Sequence, residues 1–232
     1  MLSTLAPRSE QELLTTAEAL SGRTLGELAA EAGLAVPEGL LRAKGWVGQL
    51  MERRLGATAS SRAEPDFQHL GVELKTLPVD GRGRPVESTF VCTIHLEAIT
   101  EVEWSESLVY RKLRRVLWVP VEGSRSIPVA HRRVGAPLLW SPNAQEQAAL
   151  RADWEDLVGM IGRGQAENIT GHFGRFLQVR PKAAHSRVLR RTTDLLGDPV
   201  DLPPRGFYLR SAFTSAILRQ HFSAVSFAEP GV

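Results

Sequence analysis

The chain has 232 residues, of which 43% are hydrophobic and 23% are charged, a composition typical of a globular protein with one large domain or two closely packed lobes. It has 28 lysine and arginine residues against 26 acidic ones, so binding to a polyanion requires local clusters of basic side chains. The single cysteine, Cys92, excludes an intramolecular disulfide and a cysteine-based zinc site. No basic leader and no stretch of roughly 20 apolar residues occurs, which predicts an unexported, cytoplasmic protein.

Helices are predicted in the first quarter of the chain. Two pairs of residues have the capping-box spacing that starts a helix, Ser9 with Glu12 and Thr24 with Glu27. Apolar residues at helical spacing follow each pair. A third amphipathic helix is predicted between residues 37 and 55, and it carries Glu52 near its end.

Short β-rich segments then alternate with turns. Four of them are predicted to form a central sheet: 71–79, 88–96, 115–123 and 136–142. A long helix is expected after Asn143, followed by strands at 174–182 and 205–213 and a closing helix at 215–222. Mixed charge and prolines in 183–204 predict a surface connection. The pattern therefore indicates an α/β fold with a mixed sheet flanked by helices.

The segment PDFQHLGVELKTLPVD carries a cluster of residues suited to hydrolysis of a phosphodiester. Side chains at positions i and i+2 of a strand share one face, so Glu73 and Lys75 are expected to point together, with Leu74 on the other side. Asp66 precedes the strand and can curl back towards them. Two carboxylates, with waters, a backbone carbonyl and a phosphate oxygen, suit Mg²⁺. An adjacent ammonium can orient or deprotonate the attacking water and stabilise the charge on phosphorus.

The E-x-K triplet has little specificity by itself. Glutamate and lysine are common enough that about one such triplet is expected by chance in a chain of this length. An ordinary solvated strand face with alternating charges is the competing interpretation. The upstream position of Asp66 and the further acid at Glu52 favour a nuclease site.

Six longer segments are far more specific than the triplet, and they occur in order along nearly the whole chain. They are KGWVGQLMERRLGA (44–57), DFQHLGVELKTLPVD (66–80), RVLWVPVEG (115–123), RRVGAPLLWSPN (132–143), LQVRPKA (177–183) and PPRGFYL (203–209). Together they resemble the MutH family of methyl-directed mismatch-repair endonucleases. The segment 183–204 and the tail from residue 223 carry no motif that matches the family.

The resemblance implies one endonuclease domain over residues 1–232, with a restriction-endonuclease-like fold and two lobes around a DNA cleft. A catalytic region at 40–123 and a recognition region at 170–222 are expected. It also implies nicking of the unmethylated strand of double-stranded DNA at hemimethylated GATC sites, unmethylated GATC also being a ligand. MutL is implied as the activator, and MutS acts indirectly. One active site per monomer agrees with cutting a single strand.

Residue roles implied by the resemblance fall into two groups. Asp66 and Glu73 match the metal ligands, Lys75 the catalytic lysine, and Glu52 an auxiliary acid near a second metal position. The positions that match DNA-binding residues are Lys44 near the DNA backbone, Arg180 and Lys182 in the recognition loop, and Tyr208 as sensor of adenine methylation. Lys112 is a further DNA-binding candidate from the sequence itself, because its basic run could neutralise phosphates.

Each DNA-binding position also has an ordinary interpretation. Lys44 can be a solvated lysine, and Lys112 belongs to a basic run that is typical of a solvated face. Arg180 can make a bidentate contact to guanine, yet the sequence alone favours a phosphate contact or a surface ion pair over base readout. A tyrosine ring can pack on a methyl group, but Tyr208 can also be a half-buried strand residue.

Other functions receive less support. The six histidines lack paired spacing for zinc, and neither a Walker-type loop nor a G-x-S-x-G elbow is present. Two alternatives stay open: a GATC-specific restriction endonuclease that cuts both strands, and a non-catalytic DNA-binding module. Two acids beside a phosphate argue against the second alternative, because they repel DNA unless a metal lies between them.

Overall fold

The structure is a computed structural model that describes residues 5–59, 63–96, 98–182, 190–193 and 199–222. Side chains at 40–44, 190–193 and 199–202 lie outside the description. The helices are α1 Glu10–Glu18, α2 Leu25–Ala32, α3 Leu40–Leu55, α4 Leu108–Leu113, α5 Ala144–Gly162 and α6 Ser211–Phe222. The strands are β1 Glu73–Val79, β2 Thr89–Thr93, β3 Val116–Glu122, β4 Leu138–Trp140, β5 Leu177–Pro181, β6 Arg190–Thr193, β7 Pro199–Leu202 and β8 Arg205–Leu209.

The chain divides into two compact units. The first consists of Met1–Glu87, Arg115–Ser141 and Ser215–Val232, and the second of Ser88–Arg114 and Pro142–Thr214. Each unit has a three-stranded sheet of its own. Within the described ranges, no helix combines the length and the apolar character needed to cross a membrane.

The first helices begin where the capping pattern predicts. Ser9 accepts a hydrogen bond from the backbone N–H of Glu12 at the start of α1. Thr24 and Glu27 form a complete capping box at α2, with bonds of 3.2 and 2.8 Å. Such bonds satisfy N–H groups that lack a partner inside the helix. The third helix starts at Leu40 instead of near Pro37 and ends at Leu55, followed by the C-cap residue Gly56, whose φ is +73°.

In the first unit, β1 pairs in parallel with β3, and β3 pairs antiparallel with β4. Glu73 lies opposite Val116, and Lys75 lies opposite Trp118. β3 is buried along nearly its whole length, as expected for a strand covered on both faces. Its apolar side chains, together with those of α1, α2 and α3, form one core. This sheet therefore gives the candidate catalytic strand β1 a rigid neighbour.

In the second unit, β8 lies between β2 and β5 and is antiparallel to both. The helix after Asn143 starts with the expected capping box and packs on β5. Trp104 and Trp154 lie in this unit with ring centroids 5.8 Å apart. The sheet carries two of the predicted DNA-binding strands, β5 and β8, side by side.

Four elements differ from the sequence predictions. The segment 88–96, expected in one central sheet with 71–79, 115–123 and 136–142, forms β2 in the sheet of the second unit, because it pairs with β8. The strand expected over 205–213 ends at Leu209, and α6 begins at Ser211 instead of Ser215. The expected surface connection 183–204 contains the antiparallel pair β6 and β7. A short helix, α4, was not predicted, because its six residues are too few to show a helical period.

The approach to β5 is held from two sides. The buried Asp153 carboxylate accepts hydrogen bonds of 2.7, 2.6 and 2.8 Å from the backbone N–H groups of Arg175, Phe176 and Leu177. The Arg210 guanidinium donates to the carbonyls of Gly171, Phe173 and Gly174 on the same segment. Asp153 thus binds the backbone N–H groups, and Arg210 the backbone carbonyl groups, of the segment that leads into β5.

Replacing Asp153 by alanine is expected to lower the free energy of unfolding by about 3 kcal/mol, because it leaves buried N–H groups without acceptors. Asp153→Asn keeps one acceptor oxygen and should lose less. Urea unfolding of both variants measures the difference. Asp156→Ala, on an exposed position of the same helix, is the control and should stay within about 0.5 kcal/mol of the parent. Equal stability of Asp153→Ala and the control would contradict this account.

Candidate active site

Strand β1 brings Glu73 and Lys75 together. Alternation along the strand places both side chains on one face, and Lys75 Nζ donates a hydrogen bond of 2.7 Å to Glu73 Oε1. The Glu73 side chain is only 3% exposed and that of Lys75 only 13%. Burying a carboxylate is costly unless it is paired and hydrogen-bonded. The adjacent Lys75 ammonium therefore offsets part of the desolvation cost of the buried Glu73 carboxylate.

Asp66 reaches the same strand through a tight loop. Phe67 and Val72 form a β-bridge across the intervening residues, and Gly71 turns the chain with a φ of +66°. Asp66 Oδ2 then accepts a 2.8 Å hydrogen bond from the backbone N–H of Leu74. The carboxylate is thus fixed at the residue between Glu73 and Lys75, as the upstream spacing predicts.

The charges at this site favour a cation or a phosphate with its metal. Glu73 and Lys75 nearly cancel each other, whereas Asp66 adds a negative charge at the Leu74 backbone. Mg²⁺ is usually held by one or two carboxylates, with waters and substrate oxygens completing its shell. Asp66 and Glu73 fit that donor set. Among the described residues no group of three histidine, cysteine or acidic side chains is arranged to hold a metal.

Glu52 is not brought into this group. It lies on an exposed position of α3, one turn after Gly48, in the same unit as Asp66. Within the described ranges, Glu52 is not part of a group of three side chains that could hold a metal. Its role as an auxiliary acid stays a prediction.

The second sheet collects the predicted DNA-reading residues. Arg180 and Lys182 lie on β5 and just after it, and Tyr208 lies opposite Gln178 on β8. Arg180 Nη1 donates to Ser88 Oγ at 2.7 Å, and Lys182 Nζ donates to Thr93 Oγ1 at 2.8 Å. The Tyr208 ring makes an edge contact with Phe90, with centroids 5.3 Å apart. The structure thus places the three predicted residues on neighbouring strands.

The structure describes the side chain of Lys112 but not that of Lys44. Lys112 is 5% exposed on α4, whereas its neighbours Arg111 and Arg114 are exposed. The interpretation of the basic run as a uniformly solvated face is therefore wrong for Lys112. The side chain of Lys44 in α3 lies outside the described residues. Both DNA-binding roles stay predictions.

Sequence reasoning missed the hydrogen-bond partners of Arg180 and Lys182. Ser88 and Thr93 stand 92 and 89 residues away from Arg180 and Lys182 in the chain. Small hydroxyl residues in a β-rich segment have an ordinary explanation, since threonine is common in strands. Only the strand order β2-β8-β5 brings them within reach.

Comparisons with known proteins agree with this geometry. A family model described as "DNA mismatch repair enzyme MutH" matches residues 55–153, which include Asp66, Glu73 and Lys75. The DNA mismatch repair protein MutH of Escherichia coli O6:K15:H31 (strain 536 / UPEC) is 57% identical over 216 residues, covering 93% of this chain and 94% of the relative. That of E. coli strain SMS-3-5 / SECEC is 56% identical with the same coverage. The chain therefore belongs to the MutH family of DNA mismatch repair enzymes, which confirms the predicted α/β, restriction-endonuclease-like fold and the predicted class, a DNA mismatch-repair endonuclease.

Proposed function

We propose that the chain is a Mg²⁺-dependent endonuclease that nicks the unmethylated strand of double-stranded DNA at hemimethylated GATC sites. The observation that carries the proposal is the buried Glu73 carboxylate paired with Lys75 on β1, beside the Asp66 carboxylate bonded to Leu74. Family membership over 93% of the chain supports the same reaction. Asp66, Glu73 and Lys75 are the proposed catalytic residues, with Glu52 as the auxiliary acid.

The side chains of β1 can perform distinct parts of the hydrolysis. A bound Mg²⁺ would supply charge to polarise the scissile phosphate and lower the pKa of a coordinated water. Asp66 and Glu73 would hold it. Lys75 orients the attacking water and places positive charge where negative charge builds up on phosphorus. Because its amine already touches Glu73, little reorganisation is needed before the reaction. The products are a 5′-phosphate and a 3′-hydroxyl.

The second unit supplies recognition in this proposal. Arg180 contacts guanine in the major groove, Lys182 contacts the same site, and Tyr208 senses the methyl group on adenine. Lys44 neutralises a phosphate of the DNA backbone. Lys112 is buried on α4, so its proposed contact to a phosphate requires the side chain to move outward. MutL activates the enzyme, MutS acts through MutL, and a monomer is sufficient for one cut. The proposed site of action is the cytoplasm. Family membership is the support for these assignments.

Magnesium-dependent cleavage of a supercoiled plasmid with one hemimethylated GATC site tests the proposal. The expected product is an open circle nicked on the unmethylated strand, with the rate raised by added MutL. Matched plasmids that are unmethylated, or methylated on both strands, show how adenine methylation changes the nicking rate. Methylation of both strands should block nicking. Linear product from the hemimethylated plasmid would favour the restriction-endonuclease alternative. DNA binding without cleavage, even with MutL, would leave only a binding module.

A further inference from the structure

The sheet of the second unit requires the recognition strand to reach its partners across another strand. β8 lies between β5 and β2, so a side chain of β5 meets β2 only by passing over β8. The residue of β8 opposite Arg180 is Gly206. A Cβ atom there would lie 2.9 Å from Phe90 Cε2 and 3.0 Å from the Cys92 carbonyl oxygen. The missing side chain at Gly206 therefore leaves room for the Phe90 ring and the Cys92 carbonyl of β2.

Arg180 reaches a neutral acceptor on the far side of β8. Its Nη1 donates to Ser88 Oγ over 2.7 Å, just before β2 begins. A guanidinium has five N–H donors in a planar fork, so one bond to a hydroxyl leaves most donors for a base edge. A hydroxyl also leaves the positive charge in place, whereas a carboxylate would compensate it. Ser88 can therefore orient the fork without competing with DNA for its charge.

Lys182 is held in a similar way by Thr93, which lies at the opposite end of β2 from Ser88. Its Nζ donates to Thr93 Oγ1 over 2.8 Å and lies 4.0 Å from the centroid of the Phe90 ring. Its backbone N–H donates to the Pro204 carbonyl at 2.7 Å, which extends the strand pairing to this residue. The backbone and the side chain of Lys182 are therefore both held in place before a ligand binds, which reduces the rotamer entropy that binding would otherwise cost.

We propose that Ser88 and Thr93 are positioning residues for sequence recognition, which set the directions of Arg180 and Lys182 before DNA arrives. This inference rests on the proposed function, because it needs Arg180 and Lys182 to read the GATC site. Neither hydroxyl touches the scissile phosphate or the metal in this account. Their loss therefore weakens discrimination between sites more than it changes the chemical step.

The expected effects are modest and specific. Ser88→Ala and Thr93→Val should each reduce the preference for GATC over a site with one altered base pair about tenfold, which corresponds to about 1.4 kcal/mol. The maximal nicking rate at saturating DNA should change less than twofold. Ser88→Thr and Thr93→Ser retain the hydroxyl and should restore most of the preference.

The test measures binding and nicking separately with the full-length protein. Fluorescence anisotropy with Ca²⁺ in place of Mg²⁺ gives the affinity ratio for GATC and altered duplexes, and plasmid nicking with Mg²⁺ gives KM and the maximal rate. Thr89→Val is the matched control on the same strand, because the Thr89 hydroxyl is buried without a hydrogen-bond partner among the described residues. Ser105→Ala, at an exposed position of the same unit, controls for the serine.

The outcomes separate this inference from the proposed function. A reduced affinity ratio in Ser88→Ala and Thr93→Val, with normal ratios in both controls and rescue by the hydroxyl variants, supports positioning. Parental ratios in both variants overturn it, even if the parent nicks GATC as proposed. If the parent binds GATC selectively yet never nicks, the proposed function fails while the binding ratios still decide the positioning. If the parent shows no GATC preference at all, both are overturned.

Discussion

Lys75→Ala is expected to lower the nicking rate by at least about a hundredfold while DNA binding is retained, since a positioned group that acts on the transferred proton or charge contributes roughly 10² to 10⁴ in rate. The substitution also leaves the Glu73 carboxylate, 3% exposed, without its amine. Removing one member of a buried pair costs about 3 kcal/mol of stability. Plasmid nicking, anisotropy and urea unfolding measure the three effects.

Lys75→Gln separates chemistry from folding in this experiment. Its amide can still donate a hydrogen bond to Glu73, so stability should recover, but it carries no charge and the rate should stay low. Arg84→Ala is the control for a lost cation near the end of β1, because Arg84 is exposed and pairs with Asp80 on the surface. That variant should nick at the parental rate. A Lys75→Gln enzyme as active as the parent would remove Lys75 from the catalytic residues.

Asp66→Asn is expected to abolish metal-dependent nicking with little change in fold, by at least about a hundredfold in rate, because the amide is a poor ligand for Mg²⁺. Its side-chain oxygen can still accept the hydrogen bond from the Leu74 N–H, which measures 2.8 Å in the parent. A ligand that binds only the folded state raises the melting temperature. Mg²⁺ should therefore raise the melting temperature of the parent and not that of Asp66→Asn.

Asp66→Ala tests how much the hydrogen bond from Leu74 to Asp66 contributes to stability. It loses both the charge and the acceptor for Leu74, so it should be less stable than Asp66→Asn by about 1 kcal/mol and equally inactive. Glu64→Gln, two residues earlier and exposed, controls for a change of charge in the same loop. A parental Mg²⁺ response in Asp66→Asn would show that the metal binds elsewhere.

Local patterns predicted much of the first unit and its candidate site. Capping residues determine where α1 and α2 start, because the N–H groups of a first helical turn need acceptors wherever the helix lies. Strand alternation alone predicts that Glu73 and Lys75 share a face. The hydrogen bond between them confirms that part. Each of these features depends on residues close together in the chain.

Local sequence patterns do not predict features that depend on residues far apart in the chain. The burial of Lys112 follows from how α4 packs in the second unit, with contacts to β2, and a run of basic residues does not reveal it. The bonds of Ser88 and Thr93 require the order of three strands. The paired strands β6 and β7 occupy a stretch that had been predicted as a surface connection.

Lysine usage is one signal in the sequence that would have helped. The chain has 24 arginines and only four lysines, at positions 44, 75, 112 and 182. All four are proposed site residues. A compact, strongly hydrated ammonium and a planar guanidinium are not interchangeable at a chemical site. In a chain that otherwise uses arginine for its positive charge, a lysine is therefore worth testing first.

The pairing of β1 with β3 has a consequence for how the enzyme is made. The two strands are neighbours in space, but the segment between them, Ser88–Arg114, belongs to the other unit. During synthesis the strand with Glu73 and Lys75 emerges well before the strand that supports it, and long-range pairing of this kind slows folding. A fragment that ends at Glu87 holds all the proposed catalytic residues yet lacks the strand beside them. A nascent chain can therefore complete this pair of strands only after Ser88–Arg114, the first segment of the second unit, has been translated.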